Sequence, residues 1–176
     1  MGVPEYQAVV MAAGKGSRFT DLTANKEKCL LPVGNLPMIW YILNTLQRIG
    51  FKEVIVIVHD NVKSEVAAIP KKHGLKLELD LCTVSPKEDL GTAESLRLVH
   101  KKLVSDRIMV LSSDLITDVQ IHNLTDLHLV KGSSVTALFS KTGLDPKNIP
   151  VPGPKTKHKK GKYNETVDAA FNSMVS

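Results

Sequence analysis

The chain has 176 residues, 43% of them hydrophobic and 23% charged, which is the size and balance of one globular domain with a substantial core. Its net charge of +5 is unevenly placed: five lysines and only two acids fall after Pro154, so the body is nearly neutral and offers no nucleic-acid face. No apolar run is long enough to cross a bilayer, and Met1 to Glu5 lacks the basic patch and apolar core of a signal peptide. Tyr6 stands where a myristoylation motif needs Ser or Thr. The two cysteines, Cys29 and Cys82, lie far apart and predict free thiols in a reducing cytosol.

Gln7 to Met11 predicts a first strand, apolar on both faces as in a parallel sheet covered on both sides. The following loop, Ala12 to Gly34, is long for a compact domain, and Phe19, Leu22, Leu30, Leu31 and Val33 should fold it down. Pro37 to Ile49 predicts a helix ended by Gly50, with Ile39, Ile42, Leu43, Leu46 and Ile49 facing the sheet. Glu53 to Val58 predicts a second strand. Asn61 is placed to cap a helix from Val62 to about Ile69, closed by Pro70 and Gly74. Leu75 to Leu81 alternates like a less buried third strand. Gly91 opens a helix reaching about Leu103, and Arg107 to Leu111 predicts the fourth strand. A helix over 119–130, with Asp118 as its cap, precedes a fifth strand, Ser133 to Phe139. This alternation predicts an open, mostly parallel α/β sheet of order 3-2-1-4-5 within a domain of residues 1–142. Residues 143–176, with four prolines and then the lysine cluster, read as linker and tail.

Gly14-Lys15-Gly16 and Arg18 directly follow the first strand. Glycines there let backbone N–H groups turn toward an anion, and arginine adds a forked cationic donor set. The third glycine and ribose-binding acid of a dinucleotide fingerprint are absent, as is the Gly-Lys-Ser/Thr of a P-loop. A tight turn explains the two glycines equally well. The predicted order puts the first and fourth strands side by side, so this loop faces Asp114. A carboxylate opposite a phosphate cradle suits a Mg²⁺-bound nucleotide, whereas a turn or cap role is the plainer explanation of Asp114. Gly91-Thr92 reads either as an N-cap or as an anion-binding helix start. His59 and Asp60 read as a loop pair. The histidines and cysteines lack zinc spacing, no Gly-x-Ser-x-Gly element appears, and Trp40 and Tyr41 read as core.

Ala12 to Arg18, Leu22-Thr23, Lys28, Leu30 to Val33, Pro37 to Ile39, Gly91 to Ala93 and Asp114 together resemble the sugar-nucleotide transferase family, pyrophosphorylases that join an NTP to a sugar 1-phosphate. The resemblance implies a Rossmann-like sheet of the nucleotidyltransferase type. It also implies a nucleotide site at Ala13, Gly14, Gly16, Arg18, Lys28, Gly91 and Asp114, with Asp114 the Mg²⁺ ligand. The departures from that pattern are Asp21 for a proline, Glu27-Lys28-Cys29 for Pro-Lys-Pro, Leu36 for a lysine and Ser113 for a glycine. Glu27 is expected to pair with Lys28 and weaken its hold on phosphate. These changes imply a vestigial site on a fold that has lost turnover, with no catalytic residue.

Asn35 to Tyr41, Gly50 to Val56, Gly91 to Arg97, Val110 to Asp118 and Pro150 to Gly153 further resemble the gamma-type subunits of eukaryotic translation initiation factor 2B. That resemblance implies a cytosolic, non-catalytic scaffold in the complex that promotes GDP–GTP exchange on initiation factor 2. Its implied partners are the epsilon subunit, the other subunits of the complex and initiation factor 2, with neither membrane nor direct nucleic acid. No cofactor is required, and GTP or another NTP with Mg²⁺ is an optional ligand. The alternative is a working sugar-1-phosphate nucleotidyltransferase. The chain reads as a truncated isoform, without the further strands, second metal-binding acid and β-helix of full family members, and with a sheet edge left open.

Overall fold

The computed structural model describes residues 6–14, 16, 20–23, 25–87 and 90–139. In chain order the elements are β1 (Tyr6–Met11), α1 (Thr20–Thr23), β2 (Pro32–Val33), β3 (Leu36–Pro37), α2 (Met38–Arg48), β4 (Glu53–His59), α3 (Lys63–Lys72), β5 (Glu78–Val84), α4 (Thr92–Leu98), β6 (Arg107–Ser112) and α5 (Ile121–Lys131). Single 3₁₀ turns stand at Lys28–Leu30, Asp60–Val62 and His100–Lys102. Four strands form a parallel sheet of order β5-β4-β1-β6, which is the expected open α/β architecture. Val9 of β1 lies in register between Ile55 of β4 and Val110 of β6. Contacts divide the chain into two units, Met1–Ala137 and Leu138–Ser176; the elements above all belong to the first. The expected linker and tail, 143–176, lie outside the described residues.

The two central strands are apolar on both faces because both faces are covered. Ala8, Val10, Val54, Val56 and Val58 join Ile39, Ile42, Leu43 and Leu46 of α2 in one cluster, while Val9, Ile55, Ile57, Val84 and Val99 form the other. Those four α2 side chains are completely buried, and each contributes about 1.5–3 kcal/mol by leaving water. Pro37 caps α2 in an extended conformation, and Gly50, at φ +105°, turns the chain away after it.

Several expectations need correction. The third strand starts three residues later than its alternation suggests. Pro70 lies inside α3 rather than ending it, since a proline near a helix end removes only one N–H from the ladder. Neither Asn61 nor Asp118 caps a helix: the N-cap positions of α3 and α5 belong to Val62 and Gln120. The helix after Gly91 ends at Leu98 and gives way to a 3₁₀ turn. The stretch expected as a fifth strand has no strand conformation over 133–139. Strand propensity cannot build a ladder without a neighbouring strand, and none among the described residues pairs with it.

The two edges of the sheet differ. At β5, Asp80 accepts two hydrogen bonds from Lys102 Nζ, at 2.6 and 2.8 Å, and Glu78 is exposed. At β6, Met109 and Leu111 point into the core, whereas Ile108 and Val110 remain about 40% exposed. A groove of about 430 Å³ runs along β6, between Leu96 of α4 and Leu124 and His128 of α5.

Candidate functional site

The carboxyl end of β1 is tied by main chain to β4 on one side and to β6 on the other. Ala12 N–H donates to Ile57 O at 2.8 Å, and Ser113 N–H donates to Met11 O at 3.0 Å. Asp114 is thereby held beside the loop that leaves β1. Ala13 is half-buried at the root of this loop, and Gly14 is exposed. Gly16 has φ +62°, and a Cβ built there would sit 2.7 Å from Thr23 Cγ2 and 3.3 Å from Lys28 Cβ. The loop therefore packs its glycine against the stem of Lys28, an approach open only to glycine. Arg18, expected to hold phosphate, lies outside the described residues, as does the side chain of Asp21.

Lys28 Nζ donates to Asp114 Oδ2 and forms an ion pair across 86 residues of sequence. Ser112 Oγ donates to the other carboxylate oxygen, Oδ1. Desolvation is the largest single influence on the Asp114 carboxyl and acts upward. The hydrogen bonds from Lys28 and Ser112 and the Lys28 charge outweigh it, and hold the carboxyl below its ordinary value.

Glu27 does not pair with Lys28, contrary to expectation. Its Oε2 lies 3.1 Å from His59 Nδ1, and its Oε1 accepts a hydrogen bond of 3.2 Å from Asn61 Nδ2. His59 is 3% exposed, and its Nδ1 faces the Glu27 carboxylate but is off line for a hydrogen bond. Glu27 is in extended conformation at the mouth of the 3₁₀ turn, so its side chain and that of Lys28 leave the chain in different directions. Cys29 completes the turn by entering the core at 1% exposure. Burial first, then the Glu27 charge, pushes its thiol pKa up to about 12.

The remaining candidates stand at defined places in the fold. Gly91 is the N-cap of α4, and its carbonyl accepts from Ser95 N–H at 3.0 Å. Tyr41 Oη donates to Val33 O at 2.6 Å, and its ring meets Trp40 edge-on at 5.3 Å, so this pair braces the β2–β3 ribbon rather than offering a stacking platform. Ser113, in place of the family glycine, fits at 5% exposure. The cluster of Glu27, His59 and Asn61 was not anticipated from sequence. Its one signal was a histidine ending an otherwise apolar strand at the ligand-facing side of the sheet.

Among the described residues no group of three His, Cys, Asp or Glu side chains could hold a metal ion unaided. Mg²⁺ commonly uses one or two protein carboxylates plus substrate phosphates, so Asp114 fits a cation that arrives on a nucleotide. No helix among the described residues is long and apolar enough to cross a membrane.

This sheet, with a glycine loop after β1 and a carboxylate after β6, is an open parallel α/β domain of the nucleotidyltransferase type. Residues 7–148 match the Nucleotidyl transferase family, and the chain belongs to it. It is 32% identical over 160 residues to translation initiation factor eIF2B subunit gamma of Caenorhabditis elegans, covering 89% of this chain and 38% of that protein. It is 30% identical over 137 residues to mannose-1-phosphate guanyltransferase of Debaryomyces hansenii, covering 77% and 38%. A Bacillus anthracis structure assigned as a glucose-1-phosphate thymidylyltransferase shares the fold with a TM-score of 0.63 at 22% identity, over 71% of this chain and 50% of that one. The chain thus spans 38% of the length of these two curated relatives.

Proposed function

We propose that the chain is a non-catalytic scaffold of the gamma type in a translation initiation factor 2B exchange complex, working in the cytosol beside an epsilon-type subunit. The observation that carries this reading is the Lys28–Asp114 ion pair. The cation expected to meet phosphate is engaged with the carboxylate expected to hold Mg²⁺, which favours a resting site over one poised for turnover. The 32% identity to a gamma subunit extends over 89% of the chain and supports the same reading. Residual Mg²⁺–nucleotide binding at Gly14, Gly16, Arg18, Lys28 and Asp114 belongs to this proposal. When bound, Mg²⁺ would neutralise phosphate charge next to Asp114, while Lys28 meets a phosphate oxygen and the glycine loop supplies N–H groups.

The test is an affinity pull-down of the tagged chain from cytosol. Recovery of the epsilon-type subunit or of initiation factor 2 is expected. Recovery of neither would sink the scaffold reading for this length of chain. A second reading, a sugar-1-phosphate guanylyltransferase, is favoured by the 30% identity to a mannose-1-phosphate enzyme. Pyrophosphate release from GTP and mannose 1-phosphate would establish it.

A further inference from the structure

Lys28 and Asp114 are both fixed from behind. Lys28 stands between Glu27, tied to His59 and Asn61, and the buried Cys29. Its stem lies against Gly16. Asp114 is held by the Ser112 hydroxyl and by the main-chain bond from Ser113 to Met11. The two side chains are 19% and 36% exposed, so the pair sits at the surface of the site and is open to exchange.

We propose that this pair is a latch that admits a divalent cation and a polyphosphate together and resists either one alone. The inference rests on the nucleotide-binding reading above. A cation arriving alone finds one carboxylate with an ammonium group already on it. A phosphate chain arriving alone finds its lysine engaged and a carboxylate beside it. Like charges at contact distance repel most strongly where solvent is partly excluded. When both arrive, each protein charge exchanges its partner for one of the same sign: Asp114 turns from Lys28 to the cation, and Lys28 from Asp114 to phosphate. No charge is left unpaired, which makes binding of the two ligands reciprocal.

The experiment is calorimetric titration of the full chain with GTP and with tripolyphosphate, a base-free probe, each with Mg²⁺ and with EDTA. Mg²⁺ alone and two variants, Asp114→Asn and Lys28→Met, complete the set. Both probes should bind with Mg²⁺ and at least about tenfold more weakly in EDTA, and Mg²⁺ alone should give no heat. Asp114→Asn should bind metal-free tripolyphosphate several-fold more tightly than wild type, a gain that ordinary metal dependence does not produce. In Lys28→Met, Mn²⁺ alone should become detectable at Asp114 by its paramagnetic resonance. Equal affinity with and without Mg²⁺, or no gain in Asp114→Asn, would overturn the latch and leave nucleotide binding standing. No binding of either probe under any condition would overturn both.

Discussion

His59 Nδ1 lies 3.1 Å from Glu27 Oε2, joining the end of β4 to the residue just before Lys28. This contact, together with Asn61, fixes the lysine turn where the family uses two rigid prolines. Glu27→Ala removes the carboxylate that faces the buried His59 ring and the acceptor of the exposed Asn61 amide. Losing such a hydrogen bond costs about 0.5–1.5 kcal/mol. Urea denaturation should show a destabilisation of that order, with Glu27→Gln milder.

Acid should uncouple Lys28 from Asp114. The folded-state pKa of Asp114 is depressed, so its contribution to stability is present above the ordinary carboxyl value of 3.8 and is lost as pH falls through the folded value. With Asp114 36% exposed, solvent screening keeps the pair within about 0.2–1 kcal/mol. Wild type should exceed Asp114→Asn in urea midpoint at pH 7, and the difference should vanish well below pH 3.8.

The two glycines of the loop should respond differently to alanine. At Gly16 a methyl group meets Thr23 at 2.7 Å on a left-handed backbone, and the left-handed conformation alone costs about 1–2 kcal/mol. Gly16→Ala should lower the melting temperature by several degrees. At Gly14 a Cβ meets nothing within 4 Å. Gly14→Ala should melt like wild type while weakening Mg²⁺–GTP binding, because it fills space offered to the ligand.

Thiol labelling should separate the cysteines. Cys29 is buried, with its pKa pushed up to about 12, while Cys82 is partly exposed. A thiol reagent at pH 8 should modify Cys82 in the native chain and reach Cys29 only after denaturant is added. Rapid native labelling of Cys29 would show that the lysine turn opens.

The core of this fold is written in sequence because β1, β4 and α2 carry continuous or helically spaced apolar residues that leave few alternatives. The fifth strand was misjudged because Ser133 to Phe139 has strand-like composition but lacks a pairing neighbour, a property of the sheet and not of the segment. The missing cap at Asn61 has a similar origin: Asn61 donates its amide to Glu27, a residue 34 positions away. At the site, strand order sufficed to bring the glycine loop to Asp114. The partner of Lys28 was misassigned because Glu27, adjacent in sequence, points elsewhere in space.

The contrast between the sheet's two edges sets how far this molecule can associate. Among the described residues, charge guards β5 through Glu78 and the Asp80–Lys102 pair, while β6 leaves Ile108 and Val110 about 40% exposed beside its groove. A sheet with one sealed margin and one adhesive margin can join a second copy through β6 against β6, but that union spends both adhesive margins. Any edge-to-edge pairing through β6 would therefore stop at two sheets instead of extending into a fibre.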